Sequence, residues 1–338
     1  MDSSVLLWIG KKLAYLAIEV YVALTLSFLI ILAMPGNPYL VIYYTLLSKG
    51  VPTLTAKVRA AALAGYNPNE GVLARYFTWI GNLIHGNLGY SIVYATSVSK
   101  VVAAAAPWTI LIVLVSLTLA FITGFFLGLI AASTTSKALD AIISGLMSFF
   151  SSIPAYMLAI FILIIFAVKL GWFPMMGAWG PSTKMGLNLP FLLSVARHLA
   201  LPIFTFYLML FPGWMFGTRA IATSLMKEDY ILVAKARGVK SSRVTLSYVG
   251  RNALLPQFTS LMYSYGLLFG ASIFIESIFD VPGLGLIMST AAGARDYLLT
   301  IGCFLIIIIA VIVGNFVADI AYGIIDPRVR GKRSGCLK

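Results

Sequence analysis

Residues 108–132 read WTILIVLVSLTLAFITGFFLGLIAA, 25 positions without a charged side chain. A helix of that length rises about 37 Å, enough to cross a hydrocarbon core of about 30 Å. The stretch reads as a membrane-spanning helix. Working outward from it, five more predominantly apolar windows of about 20 residues or more are found, at about 13–34, 141–168, 199–218, 253–278 and 298–325. The longest imply tilt or a kink. A barrel would show short alternating segments instead. The expected fold is an all-α polytopic membrane protein with six transmembrane helices. Pro154, Pro202, Pro212 and Pro256 lie in or beside these windows. Each frees a backbone carbonyl, which neighbouring helices satisfy inside a bundle. The first window runs into Met34-Pro35-Gly36-Asn37-Pro38 without a small-x-small cleavage site, so it reads as a retained span rather than a signal peptide.

Composition agrees with this reading. Of 338 residues, 60% are apolar and only 10% charged. A soluble domain carries roughly a quarter charged residues, so a soluble globular enzyme is excluded. Apolar content this high excludes disorder as well. Two cysteines and two histidines exclude a disulfide framework and a four-ligand zinc site. The net charge is nevertheless +13. With both termini in the cytoplasm, the inside segments are 1–12, 133–140, 219–252 and 326–338. These 67 residues hold 15 of the 24 Lys and Arg, and the 122 outside residues hold nine. Cytoplasmic loops of membrane proteins carry such an excess, so the basic balance is explained by topology. Nucleic-acid binding would need a basic face on a water-soluble domain, and it is not expected.

The windows divide the chain into 1–34 (terminus and first span), 35–107, 108–330 (a five-span core) and a tail, 331–338. Region 35–107 is a long external insertion between spans one and two. Within it Val72, Tyr76, Trp79 and Leu83 fall at near-helical spacing over 71–84, followed by the turn-rich Gly86-Asn87-Leu88-Gly89-Tyr90. It suits a lid on the outer ends of the spans, a docking surface for an external partner, or both. The loop 219–252 is more informative. Glu228 and Asp229 begin a helical segment, as suits the positive end of a helix dipole. Tyr230, Val233, Ala234 and Arg237 follow at i, i+3, i+4, i+7, and Gly238 supplies the stop. Ser241 or Ser242 is placed to cap a second helix over 243–251. A short, rigid, capped helix facing the cytoplasm suits a groove in a soluble partner. It equally suits an interfacial position on anionic lipid.

At this loop the sequence resembles a known family. Glu228-Asp229-Tyr230 with Ala234-Lys235-Ala236-Arg237-Gly238, continuing through Arg251-Asn252-Ala253-Leu254-Leu255-Pro256, is similar to the coupling-loop signature of binding-protein-dependent ABC importer permeases. More narrowly, the chain resembles the first membrane subunit of dipeptide and oligopeptide importers. Gly81-Asn82-Leu83 with Gly86-Asn87-Leu88-Gly89-Tyr90-Ser91 matches the family's external segment. Ser152-Ile153-Pro154, Lys169-Leu170-Gly171-Trp172-Phe173-Pro174, Arg197-His198-Leu199 and Pro282-Gly283-Leu284-Gly285 follow in the family's order, and the chain reaches Asp326-Pro327-Arg328-Val329-Arg330, another family element. Asn37 departs where many relatives carry Asp, and Val281 where an aromatic is common.

The resemblance implies a cell-membrane permease that works with a second, homologous permease, two cytoplasmic ATPase subunits and an external substrate-binding protein. The loop 219–252 would then dock on an ATPase through Glu228, Asp229, Tyr230, Val233, Ala234, Arg237 and Gly238. Glu228 and Arg237 would be rim charges, with Tyr230 and Ala234 facing the groove. The sequence has no GxxxxGK[ST] loop, so no cofactor is expected on this chain, and ATP and Mg²⁺ are expected on the partners. The substrate stays open among dipeptides, oligopeptides, nickel chelates and oligosaccharides. Glu19, Glu276 and Asp319 fall within spans. Such carboxylates either pair inside the bundle, the commoner case, or line the substrate path. An ion-coupled secondary transporter would also explain spans and carboxylates, but it leaves the capped cytoplasmic helix unexplained, and no inverted repeat is evident. An intramembrane enzyme would need a Ser/His, paired-Asp or HExxH arrangement, and none accompanies His198.

Overall fold

A computed structural model describes residues 3–33, 38–64, 70–134, 136–267 and 270–325. Asn37, the Asp326–Arg330 motif and the tail 331–338 lie outside the described residues. The described chain is almost wholly helical. In order it forms α1 (Ser3–Ala33), α2 (Pro38–Ser48), α3 (Thr53–Ala64), α4 (Val72–Ile84), a two-stranded hairpin of β1 (Tyr90–Ser91) and β2 (Thr96–Ser97), α5 (Val98–Ser133) and α6 (Lys137–Ser152). Then come α7 (Ala155–Ile162) with a π-helical extension over Leu163–Lys169, α8 (Leu189–Leu225), α9 (Asp229–Ala236) and α10 (Ser241–Arg243). The chain runs on through a π-helical stretch, Val244–Val249, into α11 (Gly250–Leu267), followed by α12 (Ser272–Ile278), α13 (Leu284–Gly293) and α14 (Tyr297–Ile325).

Among the described residues, four helices are long and apolar enough to cross a membrane: α1, α5, α8 and α14. The window 141–168 is not one straight helix. It is divided into α6 and α7, bent by 100° at the break. Pro154 stands there with ψ near 139°, outside the helical region, and the residue before a proline is itself driven toward extended backbone. Counted as one, this pair makes a fifth candidate span. The window 253–278 is distributed over α11 and α12. Asn252, Gln257, Thr259, Ser260 and Ser264 dilute the apolar character of α11. Helix α8 is longer than expected: Asn188 caps it by accepting the Phe191 amide (2.9 Å), and it continues past Arg219 to Leu225. Pro202 and Pro212 lie inside it without ending it.

The chain forms two compact units. The first contains residues 1–109 and 282–338. In it α1 lies along α14. Helix α4 sits where the spacing of Tyr76 and Trp79 placed it, with both rings buried against Phe28, Ile31, Ile301 and Leu305. Phe28 meets Tyr76 edge-on at 5.2 Å, and the Tyr76 hydroxyl lies 2.7 Å from Thr25 Oγ1. The insertion therefore carries packed structure of its own. A buried carboxylate that sequence reading did not single out fastens it. Asp296 accepts from Ser91 Oγ (2.6 Å) and the Val93 amide (3.1 Å), while its other oxygen accepts from the Leu299 amide (3.3 Å) and so caps α14.

The second unit contains residues 110–281. Here α5 and α8 approach closely. A Cβ on Gly124 would fall 2.6 Å from Trp214 Cβ, and one on Gly128 2.6 Å from the Met215 carbonyl oxygen. Small residues permit such approach between membrane helices. Ser116 Oγ donates to the Ile203 carbonyl (3.1 Å), and Thr118 Oγ1 lies 2.6 Å from the Tyr265 hydroxyl. Both bonds cross between helices.

Because Asp296 serves three donors from a buried position, Asp296→Ala is expected to destabilise the first unit by about 2 kcal/mol or more. Thermal unfolding of the detergent-purified protein, with proteolysis of the 35–107 insertion as a local readout, checks this. Unchanged melting and proteolysis would contradict it.

Candidate coupling interface

The segment 225–253 is built from the inside outward. Two residues of α9, Ile231 and Ala234, are 0% and 5% exposed. Their spacing of three places them on one face of the helix. They close an apolar cluster with Phe125 and Leu129 of α5, Ala222 of α8, Val244 and Val249 of the π-helical stretch, and Ala253 of α11. Burying Ile231 contributes about 2 kcal/mol.

The helix begins where its acidic residues suggest. Glu228 is the N-cap, with extended backbone, and Asp229 is the first helical residue. Neither side chain makes a capping hydrogen bond at that end, so their contribution is electrostatic. The C-terminus is specified tightly. Gly238 adopts φ +75°, its amide donates to the Lys235 carbonyl (2.9 Å), and the Val239 amide donates to the Ala234 carbonyl (3.2 Å). This pair of bonds is the Schellman arrangement, and Val239 adds the apolar contact that accompanies it by packing on the same cluster. A residue with a Cβ would pay about 1–2 kcal/mol for that backbone conformation.

The continuation differs from expectation. Lys240, not a serine, stands at the N-cap of the next helix, and Ser241 is its first residue. No side-chain cap bond forms there. The second helix is not a separate 243–251 element, because it passes through the π-helical stretch directly into α11. Asn252 ties the two parts together: its amide nitrogen donates to the Tyr230 hydroxyl (3.0 Å) and to the Tyr248 carbonyl (2.9 Å). Arg219, counted with the loop in the sequence, belongs to α8. Its guanidinium lies 2.6 Å from an Asp140 carboxylate oxygen and donates to Ser144 Oγ (2.6 Å), linking α8 to α6.

Of the residues assigned to the interface, Glu228, Asp229, Tyr230, Val233, Arg237 and Gly238 are exposed. Ala234 is not. The expectation that it faces a partner's groove is corrected by its place in the chain's own core: Ile231 and Ala234 share the face that turns inward. The face that turns outward presents Tyr230, Leu232 and Val233 at 41%, 52% and 55% exposure. Leu232 was missed because the i, i+3, i+4 pattern selects one face and Leu232 lies off it. The three carboxylates that the sequence windows placed within spans lie apart from this segment in the chain. Asp319 is ion-paired with Lys12, joining α14 to α1. Glu19 is exposed on α1 beside an otherwise apolar groove lined by Val22, Leu26, Phe304 and Ile308. Glu276 is wholly buried in α12.

Residues 124–331 match the family described as binding-protein-dependent transport system inner membrane component. The match contains the whole of the segment built above. The chain is 32% identical over 305 residues to the oligopeptide transport system permease protein AppB of Bacillus subtilis, covering 90% of this chain and 93% of that one. It is 29% identical over 324 residues to the oligopeptide transport system permease protein OppB of Haemophilus influenzae, covering 96% and 99%.

Ala234→Asp puts a carboxylate into the apolar cluster, and it is expected to cost upwards of about 2 kcal/mol in thermal stability. Val233→Asp, on the outward face, is expected to change stability by less than about 0.5 kcal/mol. Melting curves of the two purified variants compare them directly. Equal loss in both would contradict the assigned faces.

Proposed function

The chain belongs to the binding-protein-dependent transport system inner membrane components, and on that premise we propose that it is a permease subunit of an ATP-driven ABC importer of peptides. The names of the B. subtilis and H. influenzae relatives, which it matches over nearly their full lengths, support the peptide cargo. In this reading six spans cross the cell membrane with both termini in the cytoplasm, in accord with the density of Lys and Arg in 1–12, 133–140, 219–252 and 326–338. The chain pairs with a second, homologous permease, receives substrate from an external binding protein and is driven by two cytoplasmic ATPases. ATP and Mg²⁺ belong to those ATPases.

The observation that carries the proposal is the construction of α9. Its inner face is fixed to α5, the end of α8 and the start of α11, and its outer face offers an apolar patch flanked by charges. A soluble domain that binds Tyr230, Leu232 and Val233 would thereby grip a stiff element continuous with long apolar helices. Glu228, Asp229, Lys235 and Arg237 surround the patch and set register and pairing. Charged groups at a rim govern orientation and association more than affinity. Closure of the ATPase pair on ATP would drag α9, and α9 would rock the spans between inward-open and outward-open. Gly238 and Ala234 act within the chain, by holding α9 in place.

Val233→Asp is therefore expected to lower ATP-driven peptide uptake and substrate-stimulated ATP hydrolysis at least tenfold in proteoliposomes holding the whole complex, with normal amounts of permease. An interface residue near the centre of a patch costs 1–2 kcal/mol or more, and about 1.4 kcal/mol is tenfold. Gly238→Val is expected to uncouple as well, by dislodging the end of α9. Wild-type uptake and hydrolysis in both would overturn the proposal. Uptake driven by a proton gradient without any ATPase would instead favour an ion-coupled transporter.

A further inference from the structure

The second unit holds a cleft that the coupling segment does not use. Its volume is about 530 Å³, and α5, α8 and α11 form its walls. Helix α8 contributes Gly213, Trp214 and Gly217, and α11 contributes Gln257, Ser260 and Ser264. The last three recur at i, i+3, i+7, so they make one polar stripe along α11. Among the described residues, none that lines the cleft is ionisable. Polar side chains on membrane helices face the bundle interior or a water-filled path rather than lipid.

Gln257 decides the chemistry. It is 4% exposed, and among the described residues no hydrogen bond joins its side chain to a protein group. A Cβ on Gly217 would lie 3.1 Å from Gln257 Nε2, so the glycine leaves room for the amide. Ser260 Oγ donates to the Pro256 carbonyl (3.1 Å), and Ser264 Oγ to the Ser260 carbonyl (2.8 Å). Their hydrogens are thus directed along their own helix, and their oxygen lone pairs are left to accept. Trp214, set edge-on against Phe121 at 5.2 Å, supplies a flat apolar wall. One amide that both donates and accepts, two accepting hydroxyls and no charge together complement a peptide bond.

We propose that this cleft is a translocation subsite that binds the main chain of the passing peptide through Gln257, Ser260 and Ser264, without discriminating by side-chain charge. The inference rests on the peptide-permease reading above and names a subsite within it. A neutral lining would admit acidic and basic peptides alike, whereas a fixed charge in a low-dielectric channel would favour one class and repel the other.

The test uses the complete complex in proteoliposomes. It measures uptake of a labelled alanine tetrapeptide and of two counterparts with one Lys or one Glu. Gln257→Leu is expected to lower uptake of all three by a common factor of about ten, as a buried hydrogen bond left unmade would do. The amount of assembled complex should stay that of the wild type. Ser264→Ala, the milder change, is expected to lower all three about threefold. Gln257→Glu is expected to create charge discrimination, so that the Lys peptide passes faster than the Glu peptide. Wild-type uptake in Gln257→Leu and Ser264→Ala would overturn the subsite and leave the permease reading standing. Loss of the second permease on purification of either variant would assign the cleft to subunit packing and overturn it too. A wild-type complex that moves none of the three peptides would remove the peptide reading, and the subsite with it.

Discussion

The apolar contact that Ile231 and Ala234 make with Phe125, Leu129, Ala222, Val244, Val249 and Ala253 is the joint that holds α9 in the second unit. Eight residues are too few to form a stable helix alone in water. Helix α9 stands because its inner face is buried and because Gly238 and Val239 close its last turn. The same contact makes it stiff. A force on the outer face reaches α5, the end of α8 and the start of α11 through close-packed side chains rather than through a floppy connection. The continuity of α10 with α11 adds a second, covalent path.

Polar groups elsewhere act mainly as fasteners. Asp296 holds the β1–β2 hairpin to the start of α14, Lys12 holds α1 to α14 through Asp319, and Arg219 holds α8 to α6 through Asp140. In a chain with so few charges each of these is costly to bury alone, so each is paired or hydrogen-bonded. Lys12 and Arg219 thus do structural work, and because each pair is neutral neither adds to the net +13.

Much of the fold was legible in the sequence because apolar length is a strong signal. The windows around 108–132 and 298–325 became α5 and α14, and the Tyr76 and Trp79 spacing became the buried face of α4. What was not legible depended on three dimensions. The bend at Pro154 turned an apparent span into a bent pair, and the polar stripe of α11 was hidden inside a window that is predominantly apolar. Asp296 looks like an ordinary loop acid until its three donors are assembled around it. In the segment 225–253, the periodicity located the helix and Gly238 ended it. Periodicity cannot tell which residues of a short helix are inside: of the stripe Tyr230, Val233, Ala234 and Arg237, packing turned Ala234 inward beside Ile231 and left the other three exposed with Leu232.

The most direct measurement places single cysteines along α9 in a background without Cys303 and Cys336, and follows their alkylation before and after the ATPase subunits bind. With α9 as the coupling element, Leu232→Cys and Val233→Cys react readily in the isolated permease and become protected in the complex. Ile231→Cys is unreactive in both. Undiminished labelling at 232 and 233 in a complex that hydrolyses ATP and transports would contradict the assignment of this helix to the ATPase contact.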